Sequence, residues 1–168
     1  MDQVLERLTE RGYRGRLVPI QHLSELQSEF EGRHREGLLD PELYRTYLAS
    51  FDFRPPGTLP GAKSVIVVAV PQPQTRLLFQ WRGQTVPVTI PPTYMERTAN
   101  EAVRRTLQEA LDPRGQRVVR ARLPEKLLAA RSGLASYGRN NITYVPGMGS
   151  FHDLVVFFSD VPADEDSW

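Results

Sequence analysis

The sequence predicts a single α+β domain in which a mixed sheet is flanked by helices. Residues 64–70, Ser-Val-Ile-Val-Val-Ala-Val, form an unbroken run with no polar face, as a strand covered on both sides requires. Ala99, Ala102, Val103, Leu107, Ala110 and Leu111 repeat at the spacing of one helical face. Hairpin signals stand between such elements, which argues for α+β rather than a doubly wound sheet.

Composition sets the outer bounds. A chain of 168 residues with 40% hydrophobic and 24% charged residues can bury one real core. A net charge of +1 argues against a generally basic nucleic-acid coat but leaves room for a local strip. There is no cysteine, which excludes disulfides, thiolate-held zinc, a cysteine nucleophile and cysteine-ligated clusters within this chain. Residues 1–12 lack the apolar core of a signal peptide, and the longest apolar run, 65–71, is far short of the ~20 residues of a membrane span. A soluble, cytoplasmic protein with no membrane contact is expected.

Taken in order, Asp2 is placed to cap a helix carrying Val4, Leu5 and Leu8 on one face, and Gly12 to end it. A short strand follows over 16–20, then a helix over 21–35 with Leu23, Leu26 and Phe30 inward. Asp40-Pro41 reads as a cap and first helical position, with Leu43, Tyr44, Tyr47, Leu48 and Phe51 at helical spacing. Residues 54–61, with three prolines and two glycines, form a loop. After the strand at 64–70, residues 77–81 and 85–90 predict a hairpin around Arg82-Gly83, and Pro87 confines its second arm to an edge.

Pro91-Pro92-Thr93 is expected to open a long helix to about Leu111. A strand is expected over 116–122 and a short helix from Pro124 to Arg131. Strands over 142–145 and 154–158 are joined by Pro146-Gly147-Met148-Gly149-Ser150.

The segment from Leu127 to Phe151 is where chemistry is expected. A helix ends at Gly133, and Gly138, Gly147 and Gly149 follow closely. Such glycines let backbone approach a flat ligand or another chain segment where a Cβ would clash, and Arg139, Asn140 and Asn141 offer donors and acceptors beside it. The plain structural alternative is a glycine-shaped helix exit followed by a β-hairpin.

Ala-Arg-Ser-Gly-Leu-Ala-Ser-Tyr-Gly-Arg-Asn at 130–140, followed after a short strand by Gly149-Ser150-Phe151, resembles the signature of the epoxyqueuosine reductase-like family. Pro56-Gly57-Thr58-Leu59 before the strand at 64–70 resembles an upstream block of that family, and the helix near Tyr94 falls where the family has one. The resemblance spans about 54–162, with the hairpin at 77–90 as an insertion. It implies a cobalamin-binding domain with a nitroreductase-like fold, distantly related to reductive dehalogenases. Gly133, Tyr137, Gly138, Arg139, Asn140, Asn141, Gly147, Gly149, Ser150 and Phe151 would line the cofactor.

In that family a ferredoxin-like segment with two iron–sulfur clusters follows. Residues 1–162 would then be the cobalamin-binding domain, and 163–168 an exposed acidic tail or the start of a missing cluster segment. Iron–sulfur clusters are expected only in that missing segment or a partner chain. Two departures matter. The family's proposed proton donor, an aspartate, falls on Val119 here, so no catalytic residue is assigned and reductase activity by this chain alone is not expected. Ala135-Ser136-Tyr137 replaces glycine–tryptophan–x, altering the ligand-facing surface.

Arg114, Arg117, Arg120, Arg122, Lys126 and Arg131 form a basic strip with Glu125 opposing. Within it Arg117, Arg120, Arg122 and Lys126 are the candidate contacts to tRNA or to the missing domain, a solvated strand face being the alternative. His22, His34 and His152 are scattered, so no metal site is assigned. Asp153 and Asp160 read as strand ends. Two other functions remain open: a cofactor-free interaction module of the same fold, and a flavin-binding nitroreductase-like protein.

Overall fold

The computed structural model describes residues 2–94, 98–164, 166 and 168. Its centre is a four-stranded sheet of β1 (Arg14–Pro19), β2 (Ser64–Pro71), β8 (His152–Ser159) and β5 (Val118–Arg120), in that spatial order. Every residue of β2 from Ser64 to Val70 is buried, because β2 is interior and both of its faces are covered.

Alternation along the strands sorts the core into two clusters. Val65, Val67 and Ala69 of β2 join Val156 and Phe158 of β8 on one face. There α2 (His22–Arg35) contributes Leu23 and Leu26, and α5 (Glu125–Arg131) contributes Leu128 and Ala129. Ile66, Val68 and Val70 join Val155 and Phe157 on the other face. Val4 and Leu8 of α1 (Asp2–Glu10) and Val103, Leu107 and Leu111 of α4 (Ala99–Leu111) cover it. The product is three layers, helices on each side of one sheet.

The sheet departs from the mixed pattern expected: β1–β2, β2–β8 and β8–β5 all pair antiparallel. The reason is connectivity. After α2 and α3 (Pro41–Thr46) the chain re-enters the sheet at Ser64, opposite Pro19, where β1 ended, so β2 runs back along it.

Several boundaries also differ. Pro92–Tyr94 forms a 3-10 turn and α4 begins only at Ala99, so no single helix runs from Pro91; residues 95–97, within that expected helix, lie outside the described residues. The Asp2 side chain, expected as a cap, also lies outside them. Asp40 does cap α3, its carboxylate accepting from the Leu43 N–H at 2.8 Å, but the helix stops after six residues and buries none of them. Its apolar spacing serves a surface aromatic patch in which Phe51 packs edge-on against Phe30 at 6.0 Å.

The proline-rich loop contributes a core residue that its composition hides, Leu59, fully buried in the first cluster. The strand expected over 116–122 reduces to three residues, where pairing with β8 ends.

The hairpin forms as the sequence implies. β3 (Thr75–Trp81) pairs with β4 (Gln84–Ile90) as a separate two-stranded sheet. Positive φ at both Arg82 and Gly83 is the backbone of a type I′ turn, whose twist matches that of the strands.

Within the tail Asp164 and Asp166 are exposed, while the last residue packs back on the domain. Trp168 stacks on His22 at 4.7 Å, the Arg131 guanidinium lies over the Trp168 ring at 5.5 Å, and Asp166 bonds the His22 ring at 2.8 Å. Among the described residues no helix is long and apolar enough to cross a membrane.

Candidate functional site

The segment after α5 is a small hairpin, not the partner of β8. β6 (Ser136–Tyr137) pairs with β7 (Thr143–Tyr144), which lies within the expected strand at 142–145 but is shorter. Its turn explains four of the residues singled out above. The Gly138 N–H donates to the Ile142 carbonyl at 2.8 Å, and Asn141 takes a positive φ, which asparagine tolerates. The Asn140 side-chain oxygen accepts from the Ile142 N–H at 3.2 Å, while Arg139 is exposed at the tip. Gly138 is glycine because a Cβ there would stand 2.6 Å from the Tyr144 ring. The close approach expected for a ligand is taken by the chain's own aromatic side chain.

Gly133, Gly147 and Gly149 have positive φ, and a Cβ at each would meet nothing within 4 Å. They are glycines for backbone conformation, not for crowding. Gly133 lines a separate cleft of about 360 Å³ beside Arg14, Arg16 and Pro146.

Of the remaining predicted residues, all but Arg117 line a groove made of three neighbouring hollows, each bordered by Lys126. The largest, about 710 Å³, has walls of Phe30, Leu48, Phe51, Leu123 and Leu127, with Arg120, Arg122, Glu125 and Tyr137 among its other lining residues. A narrow part of about 130 Å³ is lined by Asn100, Arg120, Thr143, His152 and Asp153. A third, about 280 Å³, is bounded by Thr89, Pro91, Pro92, Ile142, Ser150 and Phe151. The groove therefore unites Tyr137, Ser150 and Phe151 with Arg120, Arg122 and Lys126.

Its charges are not equally free. The Arg120 guanidinium donates to the carbonyls of Ala121 and Val156 at 2.7 and 2.6 Å and pairs with Glu125, so it braces the sheet edge. Lys126 reaches the Asn141 carbonyl at 3.3 Å, and Arg122 is exposed. The rest of the basic strip disperses. Arg131 pairs with Glu29, Arg114 bonds Gln3, and the Arg117 backbone N–H donates to Asp160 at 2.8 Å.

Burial holds the Tyr137 phenol above its ordinary range, so it stays protonated as a donor. Val119 sits in β5 opposite Phe158 and packs against the first core cluster; no carboxylate replaces it at that point. The groove's carboxylates are Glu125, paired with Arg120, and Asp153, which accepts from Gln72 at 2.9 Å and lies within β8 rather than at its end.

Sequence reasoning missed His152 and Asn100. The His152 Nδ1 can only donate to the Gly149 carbonyl at 3.1 Å, which leaves Nε2 to accept from the Thr143 hydroxyl at 3.1 Å. The neutral ring thus ties the 146–150 loop to β7. Burial lowers its proton affinity, against the Gly149 carbonyl and the Asp153 charge. The Asn100 side-chain oxygen is buried at the groove and has no hydrogen-bond partner among the described residues. Nothing in the local sequence marks either residue, since both roles depend on contacts between elements.

No family model and no curated protein matches the chain. Solved structures do. An epoxyqueuosine reductase crystallised with selenomethionine superposes with a TM-score of 0.64 at 15% identity, over 98% of this chain and 46% of that one. Epoxyqueuosine reductase from Streptococcus thermophilus gives 0.62 at 14% identity, with the same 98% and 46% coverage. An epoxyqueuosine reductase solved with an epoxyqueuosine-modified tRNA-Tyr stem loop gives 0.63 at 16%, again over 98% and 46%. The α+β fold is therefore that of a part of epoxyqueuosine reductase, and the chain spans just under half the length of these structures.

Proposed function

We propose that the chain is the cobalamin-binding part of an epoxyqueuosine reductase-like redox protein and is not a competent reductase by itself. The observation that carries this reading is the groove at Lys126, in a fold shared with those enzymes over nearly the whole chain. A corrin is a broad, flat, largely apolar ring edged by amide arms. The groove's size, its wall of Phe30, Leu48, Phe51 and Leu127, and its polar edge suit such a shape.

Tyr137, Ser150 and Phe151 would hold the ring, and the Asn100 oxygen, which has no partner among the described residues, would accept from an amide arm. Bound cobalamin would supply low-potential cobalt chemistry, which no side chain offers. Lys126 and Arg122 would hold anionic groups at the mouth, and the Tyr137 phenol would donate one hydrogen bond into the groove. With no cysteine, electrons must come from clusters outside this chain, in a further segment or a partner. The exposed Arg122 and Lys126 are the candidate contacts to a tRNA backbone, since one of the matching structures carries a tRNA stem loop.

Titration with cobalamin, followed by its visible spectrum, tests the reading. A saturable complex should form, and Tyr137→Ala should weaken it about tenfold, about 1.4 kcal/mol. Gly133→Ala, away from the groove, should bind like the parent once its folding is verified. A yellow complex with flavin, or no complex with either cofactor, would overturn it.

A further inference from the structure

The β3–β4 hairpin carries an apolar face that, among the described residues, stays exposed. Directly paired residues share a face. Leu77 with Val88, Phe79 with Val86, and Trp81 beside them therefore form one stripe, each 39–65% exposed. The opposite face carries Arg76, Gln80, Thr85 and Thr89 around Leu78 and Pro87. A two-stranded hairpin without a hydrophobic partner is marginal in water.

We propose that this face is an interface with a second copy of the same chain. The stripe's five side chains carry no charge, and the Arg82 guanidinium that lies over Trp81 at 5.5 Å belongs to the exposed turn at the end of the face, so two copies can meet without enclosing an unpaired ion. A flat apolar ribbon is its own complement, as a two-fold dimer needs, and two such faces stack as a small sandwich about 10 Å apart. Taking ~150–250 Å² for each fully exposed aromatic and somewhat less for Leu and Val, the stripe offers roughly 400–500 Å² per copy. A pair then buries close to the roughly 1,000 Å² at which specific interfaces begin, so the dimer is reversible and concentration-dependent.

The face suits a protein better than RNA. Three of its five residues are aliphatic, and Arg76 belongs to the opposite face.

Sedimentation velocity on the whole chain over about a hundredfold concentration range reads the equilibrium directly. The parent should shift from monomer to dimer. Phe79→Lys combined with Trp81→Lys should raise the dissociation constant at least about tenfold. Leu78→Lys, the same charge on the opposite face, should leave it unchanged and controls for loss of the hairpin.

In a Trp168→Phe background Trp81 is the sole indole, and its emission should move to the blue as dimer forms. A parent that stays monomeric throughout, or a Leu78→Lys variant that dissociates as fully as the double variant, would sink the proposal. So would a monomer whose Trp81 responds to single-stranded RNA instead.

Discussion

β2 and the β3–β4 hairpin are built from similar residues and end in opposite environments. β2 reads Ser-Val-Ile-Val-Val-Ala-Val-Pro and buries every side chain up to Val70, while Leu77, Phe79, Trp81, Val86 and Val88 of the hairpin stand in solvent. The strands do not differ much in propensity. What differs is cover: β2 lies between β1 and β8 with α1 and α4 on one face and α2 and α5 on the other, whereas the hairpin pairs only with itself. Apolar sequence therefore marks a need for burial, and the partner that meets it is a separate fact.

The same substitution placed in each region tests that contrast. Val67→Ala removes two carbons from a fully buried site and should cost about 2 kcal/mol or more, measured by denaturant unfolding with the slope unchanged. A loss below about 0.5 kcal/mol would mean that the β2 core is loosely packed.

β8 lies between β2 and β5, and its first residue, His152, ties the glycine loop to β7. Burial holds the His152 imidazole below its ordinary 6.5, against the Gly149 carbonyl and the Asp153 charge. Because the folded-state value is the lower one, the unfolded chain takes up the proton first. The stability that His152 confers is complete above about 6.5 and is lost as pH falls toward the folded value. Unfolding free energy should decline as pH falls below about 6.5, and His152→Gln should flatten that slope. An unchanged slope would place the titration elsewhere.

The smallest effect belongs to the hairpin. Val88→Ala, read at a dilution where the chain is monomeric, should change stability by less than about 0.5 kcal/mol. A cost matching that of Val67→Ala would show that the hairpin folds back onto the domain and would erase the contrast.

Much of the fold was legible in local patterns. The run at 64–70 announced a doubly covered strand, the stripe from Ala99 to Leu111 announced α4, and Arg82-Gly83 announced the type I′ turn. The candidate site was legible only in part. Tyr137, Ser150 and Phe151 reach the groove, but Gly138, Asn140 and Asn141 shape a turn, and the other glycines serve backbone conformation. A glycine in sequence signals that a Cβ is unwelcome and does not say whether a ligand, a ring such as Tyr144 or a positive φ forbids it.

Sequence alone determined the features that arise within one element: where strands and helices run, which stripe is apolar, and that no thiolate chemistry is available. Tertiary structure decided what depends on distant segments meeting. It brought Phe30 and Phe51 across to Arg122, Lys126 and Tyr137 to make a groove, and set His152 between Gly149 and Thr143. It also spent Arg120 and Arg131 on carboxylates and carbonyls rather than leaving them as a strip. The physical reason is range. Backbone preference and hydrophobic period act over a few residues, whereas a groove, a buried hydrogen bond and an ion pair exist only after the sheet has brought residues a hundred positions apart within a few ångströms.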